Sequence, residues 1–345
     1  MKKIALILSV VLCTLSVKAA ERTKEFTKRY PAADYKEITI LNRYGNIELR
    51  QGGEVFEVQA IIAIQGKNQA KVDELAEYIR VVADEDSRVL QIRTVFDKDI
   101  LMSQLFSGIS VDVDYRIRVP RGKQVRIVNR DGSIITGDYT GDLSVELESG
   151  NFVAKSVTEG VFSIKLTKGE FSVPRLDRLE GDFRTSTVKI GAGTDFKLDC
   201  GASVLHLMRA DQVTIKSSGG NCFLGEVERL TVNSSYTKYE TQHIGTSIAA
   251  DCRGGEFYVR NIHTLFSQVA VKSSYTKVGL SFMAGGGFSL ELRYNKGVKM
   301  DVSSHYALEK RPTTGNNFFE TGFIGDEKFT GKVILNLSGG SLYML

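Results

Sequence analysis

Proline is scarce in this chain, with four residues among 345, and long apolar runs are confined to its first twenty positions. A continuous β-ladder needs every backbone N–H, which proline lacks, so the scarcity favours uninterrupted strands. A bilayer-spanning helix needs roughly twenty apolar residues, and no later run reaches that length. The sequence therefore predicts a mainly β protein without integral membrane insertion.

An excess of charge of either sign is also missing. The chain has 45 basic and 41 acidic residues, and three of the basic ones, Lys2, Lys3 and Lys18, belong to a segment that we expect to be removed. Binding to a phosphate backbone needs clustered Lys and Arg. Nucleic acid is therefore not an expected partner.

Residues 1–19 have the features of an export signal. Lys2 and Lys3 precede an apolar run over residues 4–15, and small residues around Ala19 provide a cleavage site. We expect a signal peptide over residues 1–19, and a mature protein in the periplasm, at the cell surface or outside the cell.

Sequence patterns typical of metal sites and hydrolases are absent. The histidines show no HxH or HExxH spacing, the cysteines no CxxC spacing, and no GxSxG motif occurs. Asp112 and Asp114 share one face of a strand, but Arg116 and Arg118 continue that face, which indicates a solvated charged strand. We expect no metal, no cofactor and no enzymatic activity.

Three cysteines follow the predicted signal, Cys200, Cys222 and Cys252. An odd number in an exported protein leaves at least one unpaired. Each lies near a repeat turn, so we expect small buried residues of the stack. One disulfide between neighbouring repeats, or a reactive thiol, is the alternative.

From residue 125 to about residue 287 the chain repeats one phrase, an alternating strand, a turn and a second alternating strand. The turn positions are Gly132, Gly150, Gly169, Ser186, Gly220, Tyr236, Gly255 and Tyr275. Successive steps are mostly 16 to 20 residues, with one double-length step that must contain a turn around Gly201. Units of this size cannot bury their own apolar face and must stack on their neighbours.

The repeats predict a parallel β-solenoid, or β-helix, over residues 120–345 with a C-terminal cap. The turn residue types recur at equivalent positions, as stacking demands. An antiparallel β-meander or sandwich, in which each turn is a hairpin, is the alternative. The aromatic segment over residues 311–329 is expected to be a loop that caps the last repeat.

Residues 20–119 predict a strand-rich N-terminal portion with one helix, from Asn68 as its N-cap to about Ile79. Strands are expected over residues 37–40, 46–49, 55–64, 89–96 and 110–119. Residues 84–86 are expected to form a turn. The apolar patches at residues 100–102 and 105–106 are expected to cover the base of the solenoid.

Residues 111–150, the NRYGNIEL segment near residue 45 and the closing GKVILNLSGGSLYML resemble the putative-adhesin family of exported bacterial β-helical proteins, which is related to the auto-transporter adhesin head domain. The resemblance covers roughly two thirds of the mature chain. It implies a β-helical surface or periplasmic protein, and it supplies no catalytic residues.

The SSYTK segment occurs twice and places Tyr236 and Tyr275 39 residues apart, close to two repeats. If both rings point outward, they lie roughly 10 Å apart along the stack. With Lys238 and Lys277 beside them, they could stack on the sugar rings of an extended glycan. The alternative is that tyrosine merely replaces the turn glycine and packs along the edge.

The expected function is therefore that of a non-enzymatic binding or adhesin-like protein of the bacterial envelope or its surroundings. Its expected partner is a polysaccharide or another cell-surface polymer, contacted many times by a repetitive surface. A carbohydrate-active β-helix enzyme, a polysaccharide lyase or hydrolase, is one alternative. A periplasmic regulatory or structural protein is another.

Overall fold

Alternation of buried and exposed side chains, the mark of β-strands, runs through the computed structural model, which describes residues 20–97, 108–302 and 306–345. The predicted signal peptide over residues 1–19 and the apolar patches at residues 100–102 and 105–106 lie outside the described residues. The described chain is mainly β, with one α-helix and one mixed sheet of 23 strands. Within those residues, the helix is too short and too polar to cross a membrane.

The N-terminal portion contains seven strands and the helix. In chain order they are β1 Ala20–Pro31, β2 Glu37–Arg43, β3 Ile47–Gln51, β4 Val55–Gly66, α1 Gln69–Tyr78, β5 Ile79–Asp86, β6 Val89–Phe96 and β7 Ile109–Val119. A short 3₁₀ turn, Ala32–Asp34, follows β1.

The repeat region follows with shorter strands and one very long one. They are β8 Gln124–Arg130, β9 Ile134–Thr136, β10 Asp138–Thr140, β11 Leu143–Glu148, β12 Phe152–Val153, β13 Ser156–Thr158, β14 Phe162–Thr167, β15 Glu170–Leu176, β16 Arg178–Arg184, β17 Thr187–Ile262 and β18 Gln268–Phe282. The C-terminal strands are β19 Gly287–Asn295, β20 Val298–Val302, β21 Glu309–Arg311, β22 Asn317–Gly325 and β23 Gly331–Met344.

The strands of successive repeats pair in parallel and in register. Leu143 of β11 lies between Val125 of β8 and Phe162 of β14, and Phe162 in turn pairs with Leu179 of β16. Identical register stacks each inward residue on its counterpart, which produces a continuous apolar core. Since β8, β11, β14 and β16 pair in parallel, their turns are not hairpins, and the antiparallel-meander alternative is wrong for these repeats.

One residue per repeat adopts the left-handed backbone conformation at the turn. These residues form a column with φ between +49° and +72°: Tyr44, Asp131, Ser149, Lys168, Thr185, Ala202, Gly219, Tyr236, Gly254, Tyr275 and Gly339. Ala202 supplies the turn expected near Gly201, so that prediction is confirmed. The column repeats the same left-handed turn at successive levels, and these turns lie along one edge of the stack.

The residue after each left-handed position is glycine or a small hydroxyl residue. A Cβ on Gly255 would lie 2.2 Å from the carbonyl oxygen of Thr237, so successive turns approach too closely for most side chains. Where serine or threonine occupies this position, its hydroxyl forms hydrogen bonds with nearby backbone. The Thr276 hydroxyl, for example, donates to the carbonyl oxygens of Cys252 and Ser274, both at 3.1 Å.

The N-terminal end of the stack is closed by antiparallel strands and the helix. β4 pairs antiparallel with β7 and β1, and β5 pairs antiparallel with β6. Helix α1 buries Val72, Leu75 and Ala76, and Asn68 accepts a hydrogen bond from the Lys71 N–H, so the predicted helix and its N-cap are confirmed. The turn expected at residues 84–86 is wrong, because they end β5.

The C-terminal end departs from chain order. β23 pairs in parallel with β18 on one side and with β19 and β20 on the other. The last repeat of the sequence, β23, therefore lies inside the sheet between β18 and β19–β20. It does not form the end of the stack, so the expected cap on the last repeat does not cover β23. The aromatic segment at residues 311–329, expected to be a loop, contains β22, which pairs antiparallel with β19 at the end of the sheet.

The charged face of β7 is as predicted. Its buried and exposed residues alternate strictly, with Asp112, Asp114, Arg116 and Arg118 all exposed. Glu48 lies 3.7 Å from Arg116, and Asp114 accepts a hydrogen bond from the Asn46 N–H. These carboxylates therefore serve local ion pairs and turns.

Candidate functional site

Tyr236 and Tyr275 both stand in the left-handed column, each with φ of +54°. They therefore do not replace the turn glycines Gly220 and Gly255, as the sequence alternative assumed. The residues in those places are Thr237 and Thr276, one position further along the chain. A tyrosine at such a φ is strained relative to glycine, because Cβ crowds the backbone.

Each of the two rings covers a glycine of the next level. A Cβ on Gly254 would lie 2.8 Å from Cδ1 of Tyr236, and a Cβ on Gly339 would lie 2.9 Å from Cδ1 of Tyr275. One side of each ring thus packs on bare backbone, as aromatic side chains do over sheet glycines. The tyrosines nevertheless stay 73% and 78% exposed, so most of each ring faces solvent.

The same side of the stack carries two further tyrosines that the sequence analysis missed. Tyr258 is half-buried and covers Gly279, and Tyr343 is 42% exposed. The register places Gly279 between them, since it pairs with Tyr258 on β17 and with Tyr343 on β23. Together Tyr236, Tyr258, Tyr275 and Tyr343 form a surface that we call the tyrosine face.

The signal for the two missed tyrosines was present in the sequence. In the segments SSYTKYE, RGGEFYV, SSYTKVG and SGGSLYM, the outward residues follow the turn at every second position. Aligned at the left-handed residue, Tyr258 and Tyr343 occupy one outward column, together with Glu240 and Gly279. The sequence comparison aligned Tyr236 and Tyr275 with Gly220 and Gly255, one residue away from the left-handed position, so these outward residues did not fall in one column.

A row of charged side chains runs between the two tyrosine columns. Glu256 lies 3.9 Å from Lys238 and 2.9 Å from Lys277, on the levels before and after it. Lys238 also pairs with Glu240 at 2.9 Å. A hydrogen bond to Glu240 raises the pKa of Lys238, and one to Glu256 raises the pKa of Lys277, so both lysines are cationic at neutral pH.

The structure therefore brings Lys238 and Lys277 together through Glu256, and it separates Tyr236 from Tyr275 by the level of Gly254. Flat apolar rings alternate with polar groups that donate and accept hydrogen bonds. Tyrosine presents an apolar body and a polar tip, which suits partly wet interfaces. Pyranose rings have the matching pattern, apolar C–H faces with hydroxyl edges.

The other tyrosines that resemble this pair in sequence differ in setting. Tyr44 has the same backbone conformation but is half-buried, with its ring 5.9 Å from that of Phe96 and 4.4 Å from the Arg43 guanidinium. Tyr306 is also half-buried, and burial raises its pKa. These two residues belong to packing and not to an open face.

A groove of about 690 Å³ crosses the repeats on a different part of the stack. It contains carboxylates and basic side chains (Lys and Arg) from neighbouring levels, and a cluster of this kind is what a carbohydrate-active enzyme uses. The carboxylates are ion-paired: Glu180 lies 3.3 Å from Lys197, and Asp182 and Asp199 lie 3.0 Å and 2.7 Å from Arg184.

All three cysteines in the described chain are buried and free. Burial raises the pKa of Cys222 to about 12 and that of Cys252 to about 11, and it also raises the pKa of Cys200. A protonated, inaccessible thiol is a poor nucleophile. The expectation of small buried residues is confirmed, and the disulfide and reactive-thiol alternatives are not seen.

No group of three or more metal-ligating side chains occurs among residues 20–97, 108–302 and 306–345. His206 stacks on Phe223 with ring centroids 4.9 Å apart, and His263 accepts the Leu265 N–H through Nδ1. His305 lies outside the described residues.

Comparison with solved structures finds bacterial proteins of similar length. A putative adhesin from Parabacteroides distasonis is 12% identical, with 93% of this chain and 97% of that chain covered and a TM-score of 0.35. A putative adhesin from Bacteroides fragilis is 15% identical, with 93% and 97% covered and a TM-score of 0.29. A putative lipid binding protein from Parabacteroides distasonis is 14% identical, with 94% and 97% covered and a TM-score of 0.30.

No protein-family model matches the chain, and no curated protein matches its sequence. Identities and TM-scores this low do not establish a family. The resemblance to putative adhesins therefore stays an expectation, and no match described above bears on the auto-transporter head domain.

Proposed function

We propose that this chain is a non-enzymatic, adhesin-like binding protein of the bacterial envelope, wound as a parallel β-solenoid, that holds an extended polysaccharide along its tyrosine face. The observation that carries the proposal is the exposure of Tyr236 and Tyr275, 73% and 78%, at left-handed positions where glycine would be less strained. Packing over Gly254 and Gly339 uses only one side of each ring, so a binding role accounts for the large part that faces solvent.

The spacing of the rings supports an extended ligand. Tyr236 and Tyr275 lie two strand spacings apart, about 10 Å, which is close to the length of two linked sugar rings. The row of Lys238, Glu256 and Lys277 runs alongside with both donors and acceptors. Several modest contacts repeated along the stack add up to a useful affinity.

The solenoid part of the proposal rests on the parallel, in-register pairing of repeats and on the column of left-handed turns. Export of the protein, from the predicted signal peptide at residues 1–19, gives it access to envelope polymers. The oppositely charged neighbours on the tyrosine face favour a neutral or mixed ligand over a polyanion.

Affinity electrophoresis and calorimetry with soluble xylan, glucan and chitin oligomers would test the proposal. The Tyr236→Ala/Tyr275→Ala variant is suitable, because Ala202 shows that alanine fits the left-handed column. If each ring contributes about 1–2 kcal/mol, the double variant should lose roughly thirtyfold or more in affinity. Its melting temperature should fall only slightly, because the rings cover Gly254 and Gly339 with one side alone.

Met208→Ala is a matched control, since Met208 is also 73% exposed but lies outside the tyrosine face. It should bind like the parent protein. Equal glycan binding by the parent and the double tyrosine variant would contradict the proposal, as would failure of every polysaccharide to bind.

A carbohydrate-active enzyme is the second candidate, favoured by the charged groove that contains Asp182 and Asp199 on paired strands. Release of reducing or unsaturated ends from a uronic-acid polymer, abolished in Asp199→Asn, would establish it. Under the binding proposal, the polymer length stays constant during incubation.

A further inference from the structure

A second cavity lies at the C-terminal end of the stack, on the strand segments that precede the turn. It has a volume of about 480 Å³ and is formed by β18, β19 and β23 together with the β21–β22 hairpin. Ligand cavities in proteins commonly range from about 300 to 1,000 Å³. We call it the C-terminal pocket and define it by Lys272, Arg293, Asn295, Asn317, Phe319 and Asn336.

The register assembles the floor of this pocket. Lys272 on β18 pairs with Asn336 on β23, Asn336 pairs with Arg293 on β19, and Arg293 pairs with Phe319 on β22. Four outward side chains thus stand in one row across four strands. Three of them offer N–H groups, and the fourth is an aromatic ring.

The Phe319 ring forms one wall. Phe318 and Tyr294, on the opposite face of β22 and β19, stack with ring centroids 5.0 Å apart and planes at 22°, which holds β22 against β19. The Arg293 guanidinium lies over the Phe319 ring at 4.4 Å. That contact holds the guanidinium plane in place while its edge donors stay available.

The charged side chains that line the pocket are all basic. Lys272 and Arg293 line the pocket, and no carboxylate does. Their ion-pair partners lie outside it: Asp251 is 3.1 Å from Lys272, and Glu291 is 3.3 Å from Arg293. Lys332 also binds Glu291, at 2.9 Å, so this one carboxylate is shared between two cations.

These pairs leave the cations available to a ligand. The Lys272 side chain is 71% exposed in its pair, and such surface ion pairs are worth about 0–1 kcal/mol, so an incoming carboxylate can replace them at little cost. A guanidinium has five N–H donors, more than Glu291 can occupy. A ligand carboxylate between Lys272 and Arg293 would gain charge-assisted hydrogen bonds from both.

We propose that the C-terminal pocket binds a carboxylate-bearing sugar unit, with its ring beside Phe319 and its carboxylate between Arg293 and Lys272. Asn317 and Asn336 provide amides for the sugar hydroxyls. The pocket lies across the turn from the tyrosine face, since Ser274 in its lining directly precedes Tyr275. It is a separate site, and it does not depend on the function proposed for the tyrosine face.

Calorimetry with trigalacturonate, against maltotriose as the uncharged counterpart, tests this proposal on the intact protein. Trigalacturonate should bind at least about tenfold more tightly. Arg293→Gln should weaken trigalacturonate binding about tenfold, and Lys272→Gln about threefold. Lys299→Gln removes an equal charge from the same end of the stack, outside the pocket, and should leave binding unchanged.

The Tyr236→Ala/Tyr275→Ala variant should keep its affinity for trigalacturonate, which separates this site from the tyrosine face. Equal affinity for the two trisaccharides, binding of neither, or full affinity in Arg293→Gln would each overturn the proposal.

Discussion

Tyr258 lies over Gly279 so closely that a Cβ on the glycine would come within 2.3 Å of the ring atom Cδ1. The two residues pair in register on β17 and β18, so ring and bare backbone share one outward position on adjacent levels. The same arrangement recurs for Tyr236 over Gly254 and Tyr275 over Gly339. The tyrosine face is therefore built from ring and glycine pairs, and not from isolated aromatic residues.

Gly279→Ala should destabilise the protein by about 1–3 kcal/mol, because the added methyl group displaces the Tyr258 ring. Chemical denaturation would measure the loss. In a Tyr258→Ala background the same change should cost less than about 0.5 kcal/mol, so the pair should show a coupling energy. Equal costs in both backgrounds would mean that the ring does not occupy the place of the missing Cβ.

Lys168→Gly should stabilise the protein by about 0.5–1 kcal/mol. Lys168 is exposed and has φ of +59°, a conformation that glycine adopts without strain. Lys165→Gly, three residues earlier within β14, should instead destabilise by a similar amount, since strand residues gain nothing from that freedom. Thermal melting of both variants would compare them, and a loss of stability in Lys168→Gly would argue against strain at the turn column.

The protein should lose stability at alkaline pH through its buried tyrosines. Burial raises the pKa of Tyr115 to about 12, from 10.0. A group whose pKa is raised by folding stabilises the protein below its unfolded pKa and loses that contribution as pH approaches the folded value. Stability should therefore fall between about pH 10 and pH 12, by about 2–3 kcal/mol for this residue alone.

Melting temperatures across this pH range, with phenolate absorbance, would follow the loss. Tyr115→Phe removes the titrating group and the hydrogen bond to Thr94 at 2.8 Å, so it should lower stability at neutral pH and flatten the alkaline decline. An unchanged slope in this variant would assign the decline to other groups.

Thiol reagents should not modify the native protein at pH 8. Cys200, Cys222 and Cys252 are buried, and burial raises the pKa of each, so modification must wait for opening of the stack. All three should react in denaturant. Met208→Cys, at a 73% exposed position, should react rapidly in the folded state. Rapid modification of the parent protein would contradict the buried positions.

Removal of β23 should affect more than the end of the molecule. Because β23 lies between β18 and β19–β20, its deletion removes the partner on one side of β18 and of β19 and separates β19–β22 from the rest of the sheet. We expect deletion after residue 330 to expose β18–β22 to protease while the repeats before β18 stay resistant. Protection of β19–β22 in the shortened protein would show that these strands can close the gap directly.

Local patterns predicted much of this architecture. The repeat period, the turn near Gly201 and the helix capped by Asn68 follow from alternation and capping, which neighbouring residues determine. The position of Tyr236 in the turn did not follow, since a one-residue offset is visible only when the left-handed residue is known. The place of β23 could not be found either, because parallel pairing depends on contacts between residues far apart in sequence.

The C-terminal pocket was equally hidden from the sequence. Lys272, Arg293 and Asn336 belong to three separate segments, and nothing in their local sequence indicates that they share a row. Phe319 was noted only as part of an aromatic segment. The three residues come together only because β23 pairs with β18 on one side and with β19 on the other.

The insertion of β23 makes assembly depend on the order of synthesis. Earlier levels can stack while the chain is still emerging from a ribosome or an export channel, but β19 and β20 have no place to dock until residues 331–344 arrive. The C-terminal end thus closes only after β23, which follows β19 and β20 in the chain, has entered between strands that were made before it. A chain cut before β23 would keep Tyr236, Tyr258 and Tyr275 but lose Tyr343 and the Asn336 part of the pocket, so ligand binding in the pocket would report that β23 is in place.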